Sequence, residues 1–337
     1  MSTGVIHPAQ PEQILKSLSK LWTSLGEDEK EHGKPTVLRA CAMTLIVATG
    51  SGAGGGFDES QTISELMREH PSRGIVLNIS PEADRGLEAR VLAQCWKPFG
   101  KAEQICCEQI EITARPDEWK NVGPTLIGLI AADLPVIFWC RHSAALSPSA
   151  TDDQKAGLRA IVSLATKVII DSRDLDTPGA FELISGWRKQ GTVVADLAWT
   201  RLTPWREPIA HIFDNVARTN TFSNFDSFEI EHTGQKPCAS TLYAAGWLSA
   251  PYKAKVTFRR VDGFGPGIHR IILRSKTETI EFERTSAENM TLRSTNGRQR
   301  QYTYTDASLT SLMTEELAIL GPDAAFNAAF SRAQELL

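Results

Sequence analysis

The sequence has no long apolar stretch and no export signal at its start. A membrane-spanning helix needs about 18 or more consecutive apolar residues, and the longest apolar runs, 42–48 and 126–132, are much shorter. The first residues, MSTGVIHPAQPEQ, lack the basic region followed by an apolar region that marks a protein for secretion. We therefore expect a cytoplasmic protein with no membrane partner.

Cysteine is scarce, with six residues among 337, at positions 41, 95, 106, 107, 140 and 238. Most of them stand inside apolar runs, where a thiol usually behaves as a small buried hydrophobic group. Cys106 and Cys107 are neighbours in a predicted strand and point to opposite faces, so they cannot easily pair with each other. We expect buried thiols without a disulfide framework. A redox pair between Cys95 and one of these two residues is the alternative.

An excess of positive charge is also missing. The chain has 36 Lys and Arg against 40 Asp and Glu, a net charge of −4, which excludes a whole-molecule basic field for nucleic-acid binding. Residues 253–302 differ from the rest, with 11 basic against 5 acidic side chains. Arg270 and Arg274 share one strand face, as do Glu281 and Glu283. This face is a candidate site for an anion or an acidic partner, and an ordinary solvated sheet face is the alternative.

Recognisable catalytic, metal and cofactor motifs are absent from the sequence. No Gly-x-Ser-x-Gly stands between a strand and a helix, and neither His-Glu-x-x-His nor Cys-x-x-Cys occurs. Gly50, Gly52 and Gly55 match Gly-x-Gly-x-x-Gly after a strand, but five glycines in seven residues make the match nearly automatic. We expect a flexible loop over 50–56, with no cofactor and no metal. A nucleotide-binding regulator that uses this loop is the alternative.

The chain is long enough for two domains. In residues 1–190 strands alternate with helices of about ten residues, which predicts a Rossmann-like α/β domain with a mostly parallel sheet. Consecutive strands at 89–96 and 104–113 predict one antiparallel hairpin at its side. Residues 191–337 predict an α+β domain with an antiparallel meander and two C-terminal helices, the second capped by Asp323.

Hydrophobic spacing and turn residues also predict the individual elements. An N-terminal helix is expected over 11–22, ended by a charged stretch, and a single strand over 37–49. The meander is expected to contain strands at 253–261, 268–274, 278–284, 290–294 and 300–304.

Two short polar segments stand where the loops of an α/β sheet tend to meet ligands. His70 and Arg73 lie between a predicted helix end and a strand start, and Asp171 and Arg173 follow a predicted strand. Each pair is a candidate for binding a partner or an anion. Turn carboxylates and cations at helix ends are the ordinary structural alternative.

The segment from Asp196 to Arg206, DLAWTRLTPWR, is the densest unusual part of the sequence. It places Arg201, Trp205 and Arg206 close together, and Thr203 followed by Pro204 predicts an N-cap and a first helical turn. This composition is consistent with two alternatives. The segment could be a helix that buried tryptophans and Arg–Asp pairs hold in place, or it could be a binding site for a partner or an anion.

This segment, together with LMREHPSR at 66–73, CEQI at 107–110 and DLPV at 133–136, resembles the OpcA family of glucose-6-phosphate dehydrogenase assembly proteins. The similarity extends over roughly residues 35–320. It implies a non-enzymatic protein that binds glucose-6-phosphate dehydrogenase, favours its active oligomer and raises its activity, and so supports NADPH production in the oxidative pentose phosphate pathway. The alternative is a protein that binds or hydrolyses a sugar phosphate, with His70, Arg73 and Arg201 converging on the phosphate.

Overall fold

A computed structural model describes residues 4–32, 36–50, 59–84, 86–100, 103–217, 225–251, 254–263 and 265–337. The chain divides into two compact units. The first is Met1–Val194 with Glu316–Gly321, and the second is Ala195–Glu315 with Pro322–Leu337. A short C-terminal segment therefore belongs to the first unit.

The first unit is built around a Rossmann-like sheet of eight strands among the described residues. The strands are β1 (Val37–Arg39), β2 (Met43–Gly50), β3 (Ser72–Ile79), β4 (Glu88–Trp96), β5 (Gln104–Ala114), β6 (Val136–Cys140), β7 (Lys167–Ile170) and β8 (Val193–Asp196). They lie in the order β1-β5-β3-β2-β6-β7-β8, with β4 paired to β5. The neighbouring pairs from β1 to β7 are parallel. The central strand β2 is buried along nearly its whole length, as its apolar sequence MTLIVATG requires of a parallel strand covered on both faces.

The helices of this unit precede the first strand or lie between strands. They are α1 (Pro11–His32), α2 (Glu59–Glu69), α3 (Val122–Ile127), α4 (Ser143–Leu146), α5 (Asp152–Val162) and α6 (Thr177–Lys189), with two short 3-10 helices at Pro116–Asn121 and Ser172–Asp174. The N-terminus of α5 is fixed by a capping box, in which Thr151 and Gln154 exchange side-chain and backbone hydrogen bonds. Asp176 caps α6 by accepting a hydrogen bond from the backbone N–H of Gly179.

Two expectations for the N-terminal part were wrong. The helix predicted over 11–22 continues to His32, because the Glu and Lys residues of the charged stretch are themselves strong helix formers. The strand predicted over 37–49 is two strands with different partners. Whereas β1 pairs with β5, β2 pairs with β3 and β6.

Cys95 and Cys106 form a disulfide, which corrects the expectation of free buried thiols at these positions. The antiparallel hairpin of β4 and β5 was predicted correctly, and its register places the two cysteines directly opposite each other, with a Cα–Cα distance of 4.1 Å. This distance is well below the ~7 Å beyond which two cysteines cannot be bridged. Cys107 points to the other face of β5 and is a buried free thiol, and burial raises its pKa to about 11.

The second unit combines helices with a mixed sheet. Its helices are α7 (Leu197–Thr200), α8 (Thr203–Ala217), α9 (Ala239–Ser249), α10 (Leu309–Ala318, whose last residues belong to the first unit) and α11 (Ala324–Leu336). Its strands are β9 (Ser227–His232), β10 (Lys255–Arg260), β11 (Ile268–Arg274), β12 (Thr279–Arg284), β13 (Asn289–Ser294) and β14 (Gln299–Thr303). The strand order is β10-β9-β11-β12-β13-β14.

The antiparallel meander is confirmed from β11 to β14. The expectation that 253–261 belongs to the meander was wrong, because β10 pairs with β9 in the parallel sense. The connection from β9 to β10 contains the whole of α9, and a crossover helix of this kind is what a parallel pair requires.

The core of the second unit is formed where α9 packs against α11. Helix α9 is buried almost all round, with Tyr243 fully inaccessible, as expected from its apolar sequence ASTLYAAGWLS. A Cβ atom on Gly246 would lie 2.2 Å from the backbone oxygen of Ala329 in α11, so the approach of the two helices requires glycine there. As predicted, Asp323 caps α11, and its Oδ1 accepts hydrogen bonds from the backbone N–H groups of Ala325 and Phe326.

Candidate functional site

The segment 196–206 starts at the end of β8 and leads into α7 and α8. The buried Asp196 caps α7, because its Oδ1 accepts a 2.9 Å hydrogen bond from the backbone N–H of Ala198. Its Oδ2 accepts a 2.7 Å hydrogen bond from the hydroxyl of Tyr243 in α9. Asp196 therefore joins the start of α7 to the central helix of the second unit.

Trp199 makes a second connection of this kind. Its indole Nε1 donates a 2.9 Å hydrogen bond to Oδ2 of Asp323, the residue that caps α11. The guanidinium of Arg206 lies over the Trp199 ring, 4.1 Å from the ring centroid, in a cation–π arrangement. Arg206, which was predicted as a candidate for binding a partner, thus contacts a tryptophan of its own segment.

Trp205 is buried at 2% exposure and packs edge-to-face against Tyr304, with ring centroids 6.0 Å apart. Arg201 is half-buried and follows the last residue of α7. Thr203 is the first residue of α8 rather than its N-cap, and its hydroxyl donates a 2.9 Å hydrogen bond to Glu315. Most of this segment is therefore committed to packing within the second unit.

A surface cavity of about 610 Å³ lies beside the start of α8. Hydroxyl side chains dominate its lining, together with the carboxylates of Glu207, Asp306 and Glu315. Among the described residues that line it there is no Lys or Arg. Phosphate sites usually provide Arg, Lys or free backbone N–H groups, so this cavity suits a hydroxyl-rich or cationic group better than a phosphate.

In the first unit, Arg73 belongs to a buried ionic cluster around Glu108. The guanidinium of Arg73 donates 2.7 Å hydrogen bonds to Oε2 of Glu108 and to the backbone oxygen of Leu129. Oε1 of Glu108 lies 2.6 Å from the guanidinium of Arg39 in an ion pair and accepts a 2.6 Å hydrogen bond from the indole N–H of Trp22. Glu108 is 4% exposed, so the arginines here neutralise a buried carboxylate and join α1, β1, β3 and β5.

The other candidates of the first unit lie at element ends. His70 follows α2, and its Nε2 is buried without a hydrogen-bond partner in the described part of the chain. Asp171 caps the 3-10 helix Ser172–Asp174 by accepting a 3.1 Å hydrogen bond from the backbone N–H of Arg173. The exposed side chain of Arg173 lies 3.8 Å from Asp174.

The sheet of the first unit reverses its order at β2, since the chain runs from β2 to β3 on one side and later returns to β6 on the other. Open α/β sheets bind ligands at the carboxyl ends of the strands at such a point. Here a Cβ on Gly50 would lie 3.3 Å from the ring of His142, which packs against Trp119 in a tilted arrangement at a centroid distance of 4.9 Å. Burial lowers the pKa of His142. Residues 51–56 of the glycine-rich segment lie outside the described residues.

Arg270 and Arg274 lie in a ladder of opposite charges on one face of the second sheet. Arginines on β10, β11 and β13 alternate with glutamates on β9 and β12. The shortest ion pairs are Arg259 with Glu229 (3.0 Å) and Glu231, Arg274 with Glu229 (2.8 Å), Arg270 with Glu283 (2.8 Å), and Arg293 with Glu283 (2.5 Å). This face is therefore internally paired rather than uniformly basic.

The ladder also shifts the pKa values of its carboxylates. The hydrogen bond from Arg274 is the main cause that lowers the pKa of Glu229. Burial by itself raises the pKa of Glu283, but hydrogen bonds and charges from Arg270 and Arg293 outweigh it and the net pKa is lowered. Both glutamates are therefore held in the ionised form.

The structure places His70, Arg73, Asp171 and Arg173 in the first unit, and Arg201, Trp205, Arg206, Arg270 and Arg274 in the second. Convergence of His70, Arg73 and Arg201 on one phosphate stays a prediction. Sequence reasoning missed Glu108 and Tyr243 as the partners of Arg73 and Asp196. For Glu108 a signal was available, because a carboxylate inside the strand sequence QICCEQIEITA needs a cationic partner if that strand is buried.

Comparison with known proteins gives consistent matches over both units. Residues 63–184 match the family described as glucose-6-phosphate dehydrogenase subunit N-terminal domain, and residues 192–330 match the corresponding C-terminal domain. The OxPP cycle protein OpcA of Nostoc punctiforme is 26% identical over 246 residues, which cover 67% of this chain and 50% of that protein. Its counterpart from Synechocystis sp. is 27% identical over 212 residues, 61% of this chain and 42% of that protein. The chain thus spans about half the length of the relatives it matches.

The chain also has a distant likeness to solved structures, two of which are oxidoreductases. The 3-ketoreductase KijD10 from Actinomadura kijaniata, in complex with NADP and TDP-benzene, is 10% identical, with a TM-score of 0.45 over 86% of this chain and 95% of that one. An oxidoreductase domain protein from Kribbella flavida is 9% identical, with a TM-score of 0.45 over 88% of this chain and 96% of that one. At these identities and TM-scores, neither likeness says what this chain does. Within the described residues, no helix is long and apolar enough to span a membrane.

Proposed function

The chain belongs to the OpcA family, since that family's N-terminal and C-terminal domains match residues 63–184 and 192–330 in order, and we propose that it binds glucose-6-phosphate dehydrogenase. It acts as a non-catalytic activator and assembly factor that favours the active oligomer of the dehydrogenase. In this role it supports NADPH production in the oxidative pentose phosphate pathway.

The observation that carries the proposal is the occurrence of both family domains on one chain, together with relatives named as OxPP cycle proteins. The structure gives a physical reason for the unusual composition of segment 196–206. Asp196, Trp199 and Trp205 are buried and tie α7 and α8 to the rest of the second unit. A stable scaffold that offers its surface to a partner needs such a core.

Activation of this kind is a matter of differential affinity. A protein that binds two forms of an enzyme equally shifts nothing, whereas a preference of about 1.4 kcal/mol for the active form shifts the equilibrium about tenfold. The proposed activator must therefore bind the active oligomer of the dehydrogenase more tightly than the inactive form.

The test is a titration of the purified protein into the dehydrogenase from the same organism. NADPH formation is followed by absorbance, and the mass of the complex is followed by light scattering on the same samples. We expect saturable activation and a complex that contains both chains. An inert protein at the same concentration controls for non-specific stabilisation of the dilute dehydrogenase. If both proteins are folded and neither complex nor activation is found, the proposal is wrong for this chain.

A further inference from the structure

A cleft of about 440 Å³ opens on the surface of the first unit between α5, α6 and the segment that follows α4. Its apolar walls include Leu146, Leu158 and Trp187, which are buried, and Leu183, which is half-buried. The rim residues Pro148, Arg159 and Glu182 are exposed. The cleft thus combines an apolar interior with a charged, solvent-facing edge.

The spacing of residues along the two helices produces this arrangement. On α5, Lys155, Leu158 and Arg159 stand three and four positions apart and so share one face of the helix. On α6, Leu183 and Trp187 are four apart, with Gly186 between them. A Cβ atom on Gly186 would meet nothing within 4 Å, so the absence of a side chain there leaves space open.

The half-buried Lys155 and the exposed Arg159 on α5 differ from two other cations of the first unit. Arg73 and Lys167 are engaged in ion pairs with Glu108 and Glu316. For Lys155 and Arg159, the described part of the chain provides no carboxylate within ion-pair distance. Glu182 on α6 leaves the cleft with one net positive charge among its lining residues.

We infer that this cleft docks a segment of a partner protein, which inserts a large apolar side chain between α5 and α6 and places a carboxylate against Lys155 and Arg159. The inference rests on the proposed function, which makes the dehydrogenase that partner. An apolar anchor in a pocket with charges at its rim is the usual arrangement of a binding hot spot. The volume accommodates a large side chain, and the exposed rim favours a protein segment over a small ligand, since small-ligand sites bury most of their ligand.

The test compares affinities for the dehydrogenase in three variants of the full chain. Lys155→Glu/Arg159→Glu reverses the rim charge. Lys16→Glu/Lys20→Glu is the matched control, because these exposed lysines are also four apart on a helix, α1, and give the same change in net charge. Gly186→Leu fills the cleft in a helix where leucine is a better helix former than glycine. Melting temperatures verify that all variants fold.

We expect the Kd to rise at least tenfold in the rim variant and in Gly186→Leu, and to change by less than threefold in the control. The salt dependence of the association rate should fall only in the rim variant. If wild-type protein binds the dehydrogenase and both cleft variants bind equally well, the cleft inference is wrong and the proposed function stands. If wild-type protein does not bind, the proposed function itself fails. Cleft variants that alter only the chain's own self-association would also overturn the inference.

Discussion

The hydroxyl of Tyr243 donates a 2.7 Å hydrogen bond to Oδ2 of Asp196, and neither side chain is accessible to solvent. The carboxylate also caps α7 through its other oxygen. One buried acidic residue thus connects a short helix to the central helix of the second unit. Removing the phenolic donor would leave a buried carboxylate oxygen without this partner, which is costly in a low-dielectric interior.

We therefore predict that Tyr243→Phe lowers the free energy of unfolding by about 1.5–3 kcal/mol, the range for hydrogen bonds to charged groups. Urea denaturation followed by tryptophan fluorescence measures the change. Tyr302→Phe is the control, because Tyr302 lies at the rim of a surface cavity and is only half-buried. Equal stabilities for Tyr243→Phe and wild type would contradict the role assigned to the Tyr243–Asp196 bond.

Lys167 gives a second prediction. Its ammonium group is 3% exposed and donates to the carboxylate and backbone oxygen of Glu316 at 2.7 Å and to the backbone oxygen of Ile319 at 2.8 Å. Lys167→Met removes the buried ammonium that pairs with Glu316, so we expect a loss of about 3–5 kcal/mol. Lys120→Met, which breaks an exposed pair with Asp153, should cost no more than about 1 kcal/mol. Similar losses in the two variants would contradict the prediction.

The Cys95–Cys106 disulfide closes a loop with a sequence separation of 11 residues. A loop of this length is expected to stabilise the folded state by about 3 kcal/mol through restriction of the unfolded chain. A thiol reductant should therefore lower the urea midpoint of the wild-type protein. The matched control is Cys95→Ala/Cys106→Ala, in which the reductant has no such bond to break and should have no effect. An identical wild-type midpoint with and without reductant would show that this crosslink does not contribute to stability.

A structural feature can be predicted from the sequence when the residues that form it are close together along the chain. Some local signals were reliable, although the helix end at residue 22 and the N-cap at Thr203 were predicted wrongly. Asp323 caps the last helix as predicted, and the strands at 88–96 and 104–114 form the expected antiparallel hairpin. Glu108 could not be assigned its partners in the same way, because Trp22, Arg39 and Arg73 come from three separate elements that only the folded sheet brings together.

The charged face of the second sheet shows the same limit. Summing charge over residues 253–302 predicts a basic surface. The partners of Arg259 and Arg274, Glu229 and Glu231, lie on β9, which is outside that window but adjacent to β10 and β11 in the sheet. Side-chain pairing in a sheet acts between strands, so a sum along the chain cannot reveal it. The cleft between α5 and α6 was missed for a similar reason, since its two walls come from different helices.

His142 leads to a prediction about pH. Burial against Gly50 and Trp119 lowers its pKa below the ordinary value near 6.5, and burial likewise lowers the pKa of His232. A group with a lowered pKa in the folded state takes up its proton more readily when unfolded. Its contribution to stability is therefore complete above about pH 6.5 and is lost as the pH falls towards the folded-state pKa.

We expect the free energy of unfolding of the wild-type protein to fall between pH 7.5 and pH 5.5, and we expect this fall to be smaller in His142→Gln, which has no titrating group at that position. Urea denaturation at both pH values gives the two differences, and their comparison removes the constant cost of the substitution. His211→Gln serves as the control, because the exposed His211 on α8 has no burial of this kind. An unchanged pH dependence in His142→Gln would show that protonation of His142 does not oppose folding. A reduced dependence would mean that the folded state favours the neutral imidazole of His142.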